Sequence, residues 1–293
     1  MKWKRELRWL TVIGDLLEDV VVWIDAPMVV GTDNPATVHR SRGGSAANVA
    51  ATAAEAGAAV RFIGRVGDDG TGLALTDLLD SVGVQVRVQR AGSSGSVVVI
   101  VDHSAERTMF PDRAAAAELG PIDPGWLEGT RVLHLPSYGL TTASSRAAIV
   151  DAATYVRSSG GLISIDTSAI SIVTQIGYAT VHSLFDELQP ALIFANAPEA
   201  ALLGLAGATP RPGRTIVIKN GGDPAVLRLD DGTTITVAAP PVEKVRDTTG
   251  AGDAFAGGFL SAWMRGEPPE AACVTGHQSA AAVLGHAGAG GQA

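Results

Sequence analysis

Short apolar segments rich in β-branched residues alternate along the chain with alanine-rich segments of helical length. Six apolar segments predict buried strands: Trp9–Ile13, Val60–Ile63, Val132–Leu135, Leu162–Ile165, Leu192–Ala195 and Thr215–Ile218. Four alanine-rich segments predict helices, three of them between these strands and one after the last: Ala46–Ala56, Leu73–Val82, Ser144–Ser158 and Ala254–Met264. Strands that alternate with helices usually return to one sheet in parallel, so the pattern predicts an α/β fold on a largely parallel sheet.

Three segments depart from this alternation because they contain β-forming and turn residues with no helical stretch. They are Val20–His39, Val84–Val101 and Val226–Val237. The first two could pair with each other as a small flap, within about residues 16–42 and 84–110, and cover a ligand at the edge of the main sheet. Composition alone favours ordinary edge hairpins.

The composition is that of a globular protein, with 293 residues, 46% hydrophobic and 18% charged. A net charge of −8 disfavours non-specific binding to nucleic acid or to an anionic membrane. The single cysteine, Cys273, excludes an intramolecular disulfide framework and fits a reducing compartment. Near the N-terminus, acidic residues interrupt the apolar run before it reaches the length of a signal peptide or membrane span, so we expect a cytoplasmic protein.

The strongest chemical signal is the segment Asp247–Phe259, DTTGAGDAFAGGF. Small residues form a turn that leads into an apolar helix, and the free N–H groups and positive dipole end of such a helix can bind a phosphate. Asp253 in the first turn is placed to accept a proton from an attacking hydroxyl, while the amides of Gly250, Ala251 and Gly252 stabilise the phosphoryl oxygens. The alternative is that Asp253 only caps the helix.

A second segment, Gly43–Ala50, places two glycines before a helix and Asn48 one turn into it. The glycines would let backbone amides reach a ligand, and Asn48 offers a donor and an acceptor to vicinal hydroxyls. A helix that merely packs closely through small residues is an equally good interpretation of this segment alone.

Together these segments resemble the two signature sequences of the ribokinase or pfkB-type family of carbohydrate kinases. The first signature continues through Gly57 to the segment RVGDDGTG at residues 65–72. The resemblance extends over residues 8–285. It implies a ribokinase-like three-layer fold with a mostly parallel central sheet and a small β-flap, as one kinase domain over residues 1–293.

The resemblance also implies an acceptor site, formed by Asp19, Gly43, Gly44 and Asn48. Asp15 is a weaker candidate for binding sugar hydroxyls. Leu17 stands where ribokinases proper tend to have an Asn, which weakens ribose as the specific substrate. Arg107 or Arg113 could bind an acidic or phosphorylated substrate, or either could form a surface ion pair.

On the nucleotide side, the residues implied by the resemblance are Asn196, Glu199, Lys219, Gly221, Gly222, Thr248 and Gln278. Asn196 and Glu199 would organise Mg²⁺, largely through water. The alternative is that this pair forms a capping box at the start of a helix. Asp247 and Thr249 would help to hold a monovalent cation such as potassium.

The sequence therefore predicts an ATP- and Mg²⁺-dependent phosphotransferase acting on a hydroxyl of a small sugar or sugar derivative. In the family the flap often mediates dimerisation, so a homodimer is expected. One rival is a nucleoside kinase of the same family, for which Trp23 or Phe110 would have to stack on a base. The other is a non-catalytic sugar- or nucleotide-binding regulator. A dinucleotide-dependent oxidoreductase is disfavoured because no Gly-x-Gly-x-x-Gly follows the first strand.

Overall fold

Strands and helices alternate over most of the chain in this computed structural model, which describes residues 8–102, 104, 106–243, 245 and 248–285. The strands are β1 (Trp9–Ile13), β2 (Leu17–Trp23), β3 (Thr37–Gly43), β4 (Val60–Val66), β5 (Gln85–Arg90), β6 (Ser96–Val101), β7 (Arg107–Asp112), β8 (Thr130–Pro136), β9 (Leu162–Asp166), β10 (Leu192–Asn196), β11 (Thr215–Lys219), β12 (Ala225–Arg228) and β13 (Thr234–Val237). The helices are α1 (Ser45–Glu55), α2 (Gly70–Ser81), α3 (Ala143–Ser158), α4 (Ile170–Ile176), α5 (Tyr178–Leu188), α6 (Ala197–Leu202), α7 (Ala251–Met264) and α8 (Pro269–Leu284).

The main sheet has nine strands in the order β13-β12-β11-β10-β9-β8-β1-β4-β5. The strands from β11 to β5 in this order are parallel, and β12 and β13 add an antiparallel hairpin at one edge. The chain runs outward from β1 to β5 and then returns on the other side of β1 at β8. Ligands of such open sheets bind beyond the carboxyl ends of the strands, near this change of direction.

Two apolar cores lie on opposite faces of the main sheet, because side chains along each strand alternate between the faces. On β10, Leu192 and Phe194 belong to the core covered by α1, α2, α7 and α8. Ile193 and Ala195 belong to the core covered by α3, α4, α5 and α6. The result is the three-layer α/β arrangement that the sequence predicts.

Four further strands form a separate small sheet, the flap, in the order β3-β2-β6-β7. Strands β2 and β6 pair in parallel, so the two segments of the flap do pair with each other, while β3 and β7 are antiparallel additions at its edges. The expectation that the flap begins at about residue 84 is wrong, because β5 (Gln85–Arg90) pairs with β4 in the main sheet. The physical reason is that α2 crosses between β4 and β5 and so completes a βαβ unit.

The root of the flap is closely packed and is joined to the body by hydrogen bonds. A Cβ at Gly95 would lie 2.5 Å from the carbonyl oxygen of Arg113 and 2.6 Å from a side-chain carbon of Leu17. The Asp69 carboxylate caps α2 through the Gly72 N–H and also accepts from the N–H and hydroxyl of Ser94. The segment 65–72 of the first signature therefore serves here to fix the connection to the flap.

Within the described ranges, none of the helices has both the length and the apolar character that a membrane crossing requires.

Candidate active site

A cleft of about 1210 Å³ runs along the carboxyl ends of the parallel strands, between the body and the flap. The body contributes strand ends and the start of α7, and the flap contributes Leu17, Asp19, Val97, Met109 and Pro111. This volume is large enough for a nucleotide and a small second ligand together.

The glycines before α1 are required by close contacts at this edge of the sheet. A Cβ at Gly43 would lie 2.1 Å from Oδ1 of Asp19, and one at Gly44 would lie 2.4 Å from the carbonyl oxygen of Asp15. Gly44 also has φ 96°, which strongly favours glycine. The two glycines thus allow Asp15, in the loop after β1, and Asp19, on β2, to lie against the start of α1.

Asp253 lies in the first turn of α7, partly exposed to the cleft. Its carboxylate accepts from the Ser45 hydroxyl at 2.6 Å and from the Asn48 side-chain amide at 3.1 Å. The side-chain oxygen Oδ1 of Asn48 in turn accepts a hydrogen bond from the Arg42 guanidinium at 2.9 Å. The sequence-predicted residues Asp253 and Asn48 are therefore in direct contact.

Burial raises the pKa of Asp253 to about 6, against hydrogen bonds from Ser45 and Asn48 that act to lower it. The negative charge of Asp166 adds to the increase, and the positive charge of Lys219 opposes it. A carboxylate with this pKa is ionised near neutral pH and still basic enough to accept a proton.

The start of α7 presents backbone donors to the cleft. Gly250 adopts a left-handed conformation with φ 76° and precedes the helix. The Ala251 N–H donates to the Thr248 carbonyl at 3.2 Å. Among the residues that the structure describes, the N–H groups of Gly250, Gly252 and Asp253 have no hydrogen-bond acceptor. These three amides can therefore bind an anion, whereas the predicted Ala251 amide is used within the turn.

Asn196 and Glu199 form a capping box at the start of α6. The Asn196 side chain accepts from the Glu199 N–H at 2.9 Å, and Glu199 accepts from the Asn196 N–H at 2.9 Å and from its side-chain amide at 2.6 Å. Thr167 donates to Oε2 of Glu199 at 2.6 Å. Glu199 is 1% exposed, and both residues still line the cleft.

This pair has the donor chemistry for Mg²⁺ held mainly by phosphates and water. Oε1 of Glu199 accepts one hydrogen bond in the described part of the chain, so it retains acceptor capacity for a bound water. No cluster of three or more His, Cys, Asp or Glu side chains suited to a metal occurs within the described residues. Magnesium commonly takes only one or two protein carboxylates together with substrate phosphates, so the residues present fit it.

Lys219 ends β11, and its ammonium lies 2.6 Å from Oδ2 of Asp166 at the end of β9. Burial acts to lower the pKa of Lys219, but the charge and hydrogen bond of Asp166, with Asp253 and Glu199 nearby, raise it overall. Gly221, Gly222 and Thr248 are exposed at the same end of the cleft.

Asp15, beneath the flap, and Asp19, on the flap strand β2, lie at the opposite end of the cleft. Asp15 is 4% exposed and forms a two-point ion pair with Arg113, whose Nε and Nη2 lie 2.6 and 2.8 Å from its oxygens. Arg113 also donates to Thr141 at 2.7 Å. Arg107 is not among the residues that line the cleft, and its Nη1 donates to the Thr249 hydroxyl at 2.8 Å.

Gln278 is not among the residues that line the cleft, so its expected place in the nucleotide site is wrong. The cleft-facing stripe of α8 consists of His277, Ala280, Ala281 and Leu284, and Gln278 is exposed beside it. His277 is 5% exposed and packs between the Val237 carbonyl and the Phe255 ring. A shift of one position along a helix turns a side chain by about 100°, so His277 rather than Gln278 faces the cleft. Asp247 lies outside the described residues.

Sequence reasoning missed three residues of the site: Ser45, Asp166 and Thr167. Ser45 lies within the first signature, one turn before Asn48, and that spacing could have identified it. Asp166 directly follows a predicted strand, as Asn196 and Lys219 do. This shared position could have identified it as a candidate site residue. Nothing in the local sequence connects Thr167 with Glu199.

A model of the pfkB family of carbohydrate kinases matches residues 10–293. An ATP-dependent ribose-1-phosphate kinase from Halopiger xanaduensis is 30% identical, with 94% of this chain and 92% of that protein covered. A fructokinase from Klebsiella pneumoniae is also 30% identical, with 82% and 83% covered. An Escherichia coli protein assigned as a ribokinase II, solved with ATP and Mg²⁺, has the same fold with a TM-score of 0.83 at 21% identity, and 97% of this chain and 94% of that chain are covered.

The family model covers nearly the whole chain, and the fold has the flap and cleft that the resemblance implies. The chain belongs to the pfkB family of carbohydrate kinases.

Proposed function

We propose that this kinase transfers the γ-phosphoryl group of ATP to a hydroxyl of a small sugar or sugar derivative, with Asp253 as the general base. The observation that carries the proposal is the position of Asp253. Its carboxylate lies at the start of α7, next to three backbone N–H groups without an acceptor in the described chain, and between the two ends of one cleft.

In the proposed reaction, Asp253 accepts the proton of the acceptor hydroxyl as the oxygen attacks phosphorus in line. The amides of Gly250, Gly252 and Asp253 stabilise the negative charge on the transferred phosphoryl oxygens. Ser45 and Asn48 hold the carboxylate in one orientation through their hydrogen bonds. Positioning and electrostatic stabilisation supply most of the catalysis in reactions of this type.

The nucleotide is assigned to the end of the cleft that contains Asn196, Glu199, Lys219, Gly221, Gly222 and Thr248. Glu199 and Asn196 would hold Mg²⁺ through water, and the metal would neutralise charge on the ATP phosphates. A monovalent cation near Asp247 and Thr249 stays a prediction.

The acceptor is assigned to the end that contains Asp19, Gly44 and Asn48. Carboxylate and amide oxygens accept hydrogen bonds from sugar hydroxyls. Arg113 is already paired with Asp15, and Arg107 is not among the residues that line the cleft, so neither arginine offers its charge to an acceptor at this end. These contacts favour a neutral polyol over an acidic or phosphorylated acceptor.

The nucleoside-kinase alternative receives less support from the flap. The cleft face of β7 presents Met109 and Pro111, and Trp23 packs against the small apolar core of the flap. Neither Trp23 nor Phe110 is among the side chains that line the cleft. An aglycone would therefore meet aliphatic side chains and a thioether there, without a stacking ring from the flap.

The test is Mg²⁺-dependent release of ADP from ATP across a panel of sugars, sugar acids, sugar phosphates and nucleosides. We expect one class of acceptor to stimulate turnover and Asp253→Asn to reduce kcat by about 100-fold or more. Asp77→Asn on the exposed face of α2 is the matched control and should leave kcat unchanged. Full activity of Asp253→Asn would rule out the proposed base, and ATP binding without turnover for every acceptor would favour the binding-protein alternative.

We further propose that two copies associate through the outer face of the flap. This face, which points away from the cleft, carries Val20, Val22, Val38, Val98, Ile100 and Phe110, and Val38 and Phe110 are 52% and 53% exposed. Apolar sheet surfaces of this kind are commonly covered by a partner.

Light scattering should therefore give the mass of a dimer for the wild type and a lower mass for Phe110→Lys. Leu202→Lys, at an exposed leucine on α6, should have no effect. A monomeric wild type at micromolar concentration would exclude the dimer.

A further inference from the structure

Three neighbouring strands of the main sheet end with a polar residue at the cleft: Asp166 on β9, Asn196 on β10 and Lys219 on β11. Asn196 lies beside Lys219 in the sheet register, and Asp166 lies beside Phe194. The Lys219 side chain therefore spans the end of β10 to reach Asp166. The proposed function uses Asn196 and Lys219 but gives Asp166 no role.

The Asp166 carboxylate has a fixed orientation. Its Oδ1 accepts from the Ser168 N–H at 2.8 Å, so only Oδ2 faces Lys219. Ser168 has φ 69°, an unfavourable conformation for a residue with a side chain. The Ser168 hydroxyl is held as well, by the Ser137 N–H at 2.9 Å. Strained backbone of this kind is often found where a side chain must be held for function.

The Lys219 ammonium has donor capacity directed at the cleft. Within the described part of the chain its only hydrogen-bond partner is Asp166, and an ammonium group has three N–H donors. Its side chain is 15% exposed and lines the cleft. Nζ lies 3.3 Å from the position that a Cβ of Gly252 would occupy, so it is adjacent to the amides at the start of α7.

Stability alone gives a weak reason for this pair. Burying two charges costs several kcal/mol per ion before their attraction is counted, and apolar replacements of such pairs are often neutral or stabilising. Phosphoryl transfer, by contrast, requires fixed positive charge beside the transferred group. A buried lysine next to free amides and the base meets that requirement.

We propose that Lys219 is a catalytic residue that contacts the phosphoryl group during transfer, and that Asp166 is the positioning residue that holds its ammonium there. This inference rests on the proposed function. As the bond from phosphorus to the leaving oxygen of ADP breaks, the bond to the acceptor oxygen forms and the hydroxyl proton passes to Asp253. Lys219 keeps its proton and donates hydrogen bonds to the phosphoryl oxygens throughout.

The test compares Asp166→Asn, Lys219→Met and the double variant in steady-state kinetics with the best acceptor. Each single substitution should lower kcat by about 100-fold while the acceptor KM changes by less than about threefold. Because Asp166 acts through Lys219, the double variant should be no more than about threefold slower than Lys219→Met. Losses that multiply in the double variant would overturn the positioning role.

The pH profile provides a readout that a purely structural pair would not change. The charge of Asp166 raises the pKa of Asp253 and that of Lys219 lowers it. The acid limb of kcat should therefore move to lower pH in Asp166→Asn and to higher pH in Lys219→Met. Shifts in the same direction, or no shift in either variant, would contradict the proposal.

Stability is separated from catalysis by the double variant and a control. The double variant removes both buried charges and should regain much of the thermal stability lost in the single variants, but not their activity. Asp186→Asn, which breaks the exposed pair with Arg211, should leave kcat unchanged. Recovery of activity together with stability in the double variant would overturn the inference. Absence of turnover in the wild type would overturn the proposed function itself.

Discussion

The carboxylates along the cleft differ in the groups that donate hydrogen bonds to them. Glu199 accepts from a backbone N–H, and Asp166 accepts from a backbone N–H and from the Lys219 ammonium. Asp253 receives only a hydroxyl and a side-chain amide, and it alone lies beside the unpaired amides of α7 in the described chain. Because burial raises its pKa to about 6, Asp253 is the carboxylate suited to accept a proton near neutral pH.

Activity should therefore depend on pH through Asp253. The base must be deprotonated, so kcat should be constant above pH 7 and should fall as the pH decreases through about 6. The measurement is kcat from pH 4.5 to 8.5 at saturating ATP and acceptor. An acid limb with a midpoint near pH 4 would indicate that the pKa of the Asp253 carboxylate is not raised in the working enzyme.

The same shift has a consequence for stability. The pKa of Asp253 is about 6 in the folded protein, compared with 3.8 for an unperturbed aspartate, so the folded protein binds the proton more tightly. The ionised carboxylate then destabilises the fold increasingly from pH 4 to 6, by at most about 3 kcal/mol above that range. Asp253→Asn should thus gain stability relative to the wild type at pH 7.5 but not at pH 4. Urea unfolding at both values tests this, and an equal difference at the two pH values would contradict it.

At the scale of elements, α7 carries the base, and two adjacent glycines set its position. A Cβ at Gly257 would lie 2.8 Å from the Val49 carbonyl oxygen of α1, and one at Gly258 would lie 2.3 Å from the Ser279 hydroxyl of α8. Helix α7 can therefore approach both neighbours closely. The contact with α1 places Asp253 within hydrogen-bond distance of Ser45 and Asn48.

Gly257→Ala should separate α1 from α7 and weaken both hydrogen bonds to Asp253. We expect kcat to fall by at least about tenfold and the free energy of unfolding to fall by about 1–3 kcal/mol. Gly70→Ala is the control, because a Cβ there meets no atom within 4 Å. Unchanged kcat in Gly257→Ala would show that helix spacing does not control the base.

At the scale of the whole molecule, the flap is joined to the body by a buried ion pair. Asp15 follows β1 in the body, and Arg113 follows β7 at the end of the flap. Thr141, also in the body, accepts a further hydrogen bond from Arg113. These contacts fix the flap over the acceptor end of the cleft.

Arg113→Met should leave the Asp15 carboxylate buried and unpaired, at a cost of about 3–5 kcal/mol in the free energy of unfolding. Adding Asp15→Leu should recover most of that loss, because the buried charge is then removed. Urea unfolding measures the stability, and faster amide exchange in β2 and β6 would report a loosened flap. Arg40→Met breaks only the exposed pair with Glu18 and should cost less than about 1 kcal/mol. An equal cost for both arginines would contradict this account.

The sequence by itself determined most strands and helices of the main sheet, its parallel arrangement and the segments that reach the cleft. Hydrophobic periodicity is a local property, and the predicted strands at 162–165, 192–195 and 215–218 each lack only the final residue of the observed strand. The two glycine-containing signatures also identified the starts of α1 and α7 as candidate site segments, because a phosphate site needs small residues at a helix start.

Only the tertiary structure decided which side chains meet. Ser45 and Asn48 lie 208 and 205 residues from Asp253, and their contact depends on how α1 packs on α7. The same holds for β5, whose place in the main sheet depends on the connection that α2 makes from β4. It holds also for Asp166, whose partner Lys219 lies two strands away. Local patterns specify elements and their faces, whereas a site assembled from distant strands and helices is specified by the packing that brings their ends together.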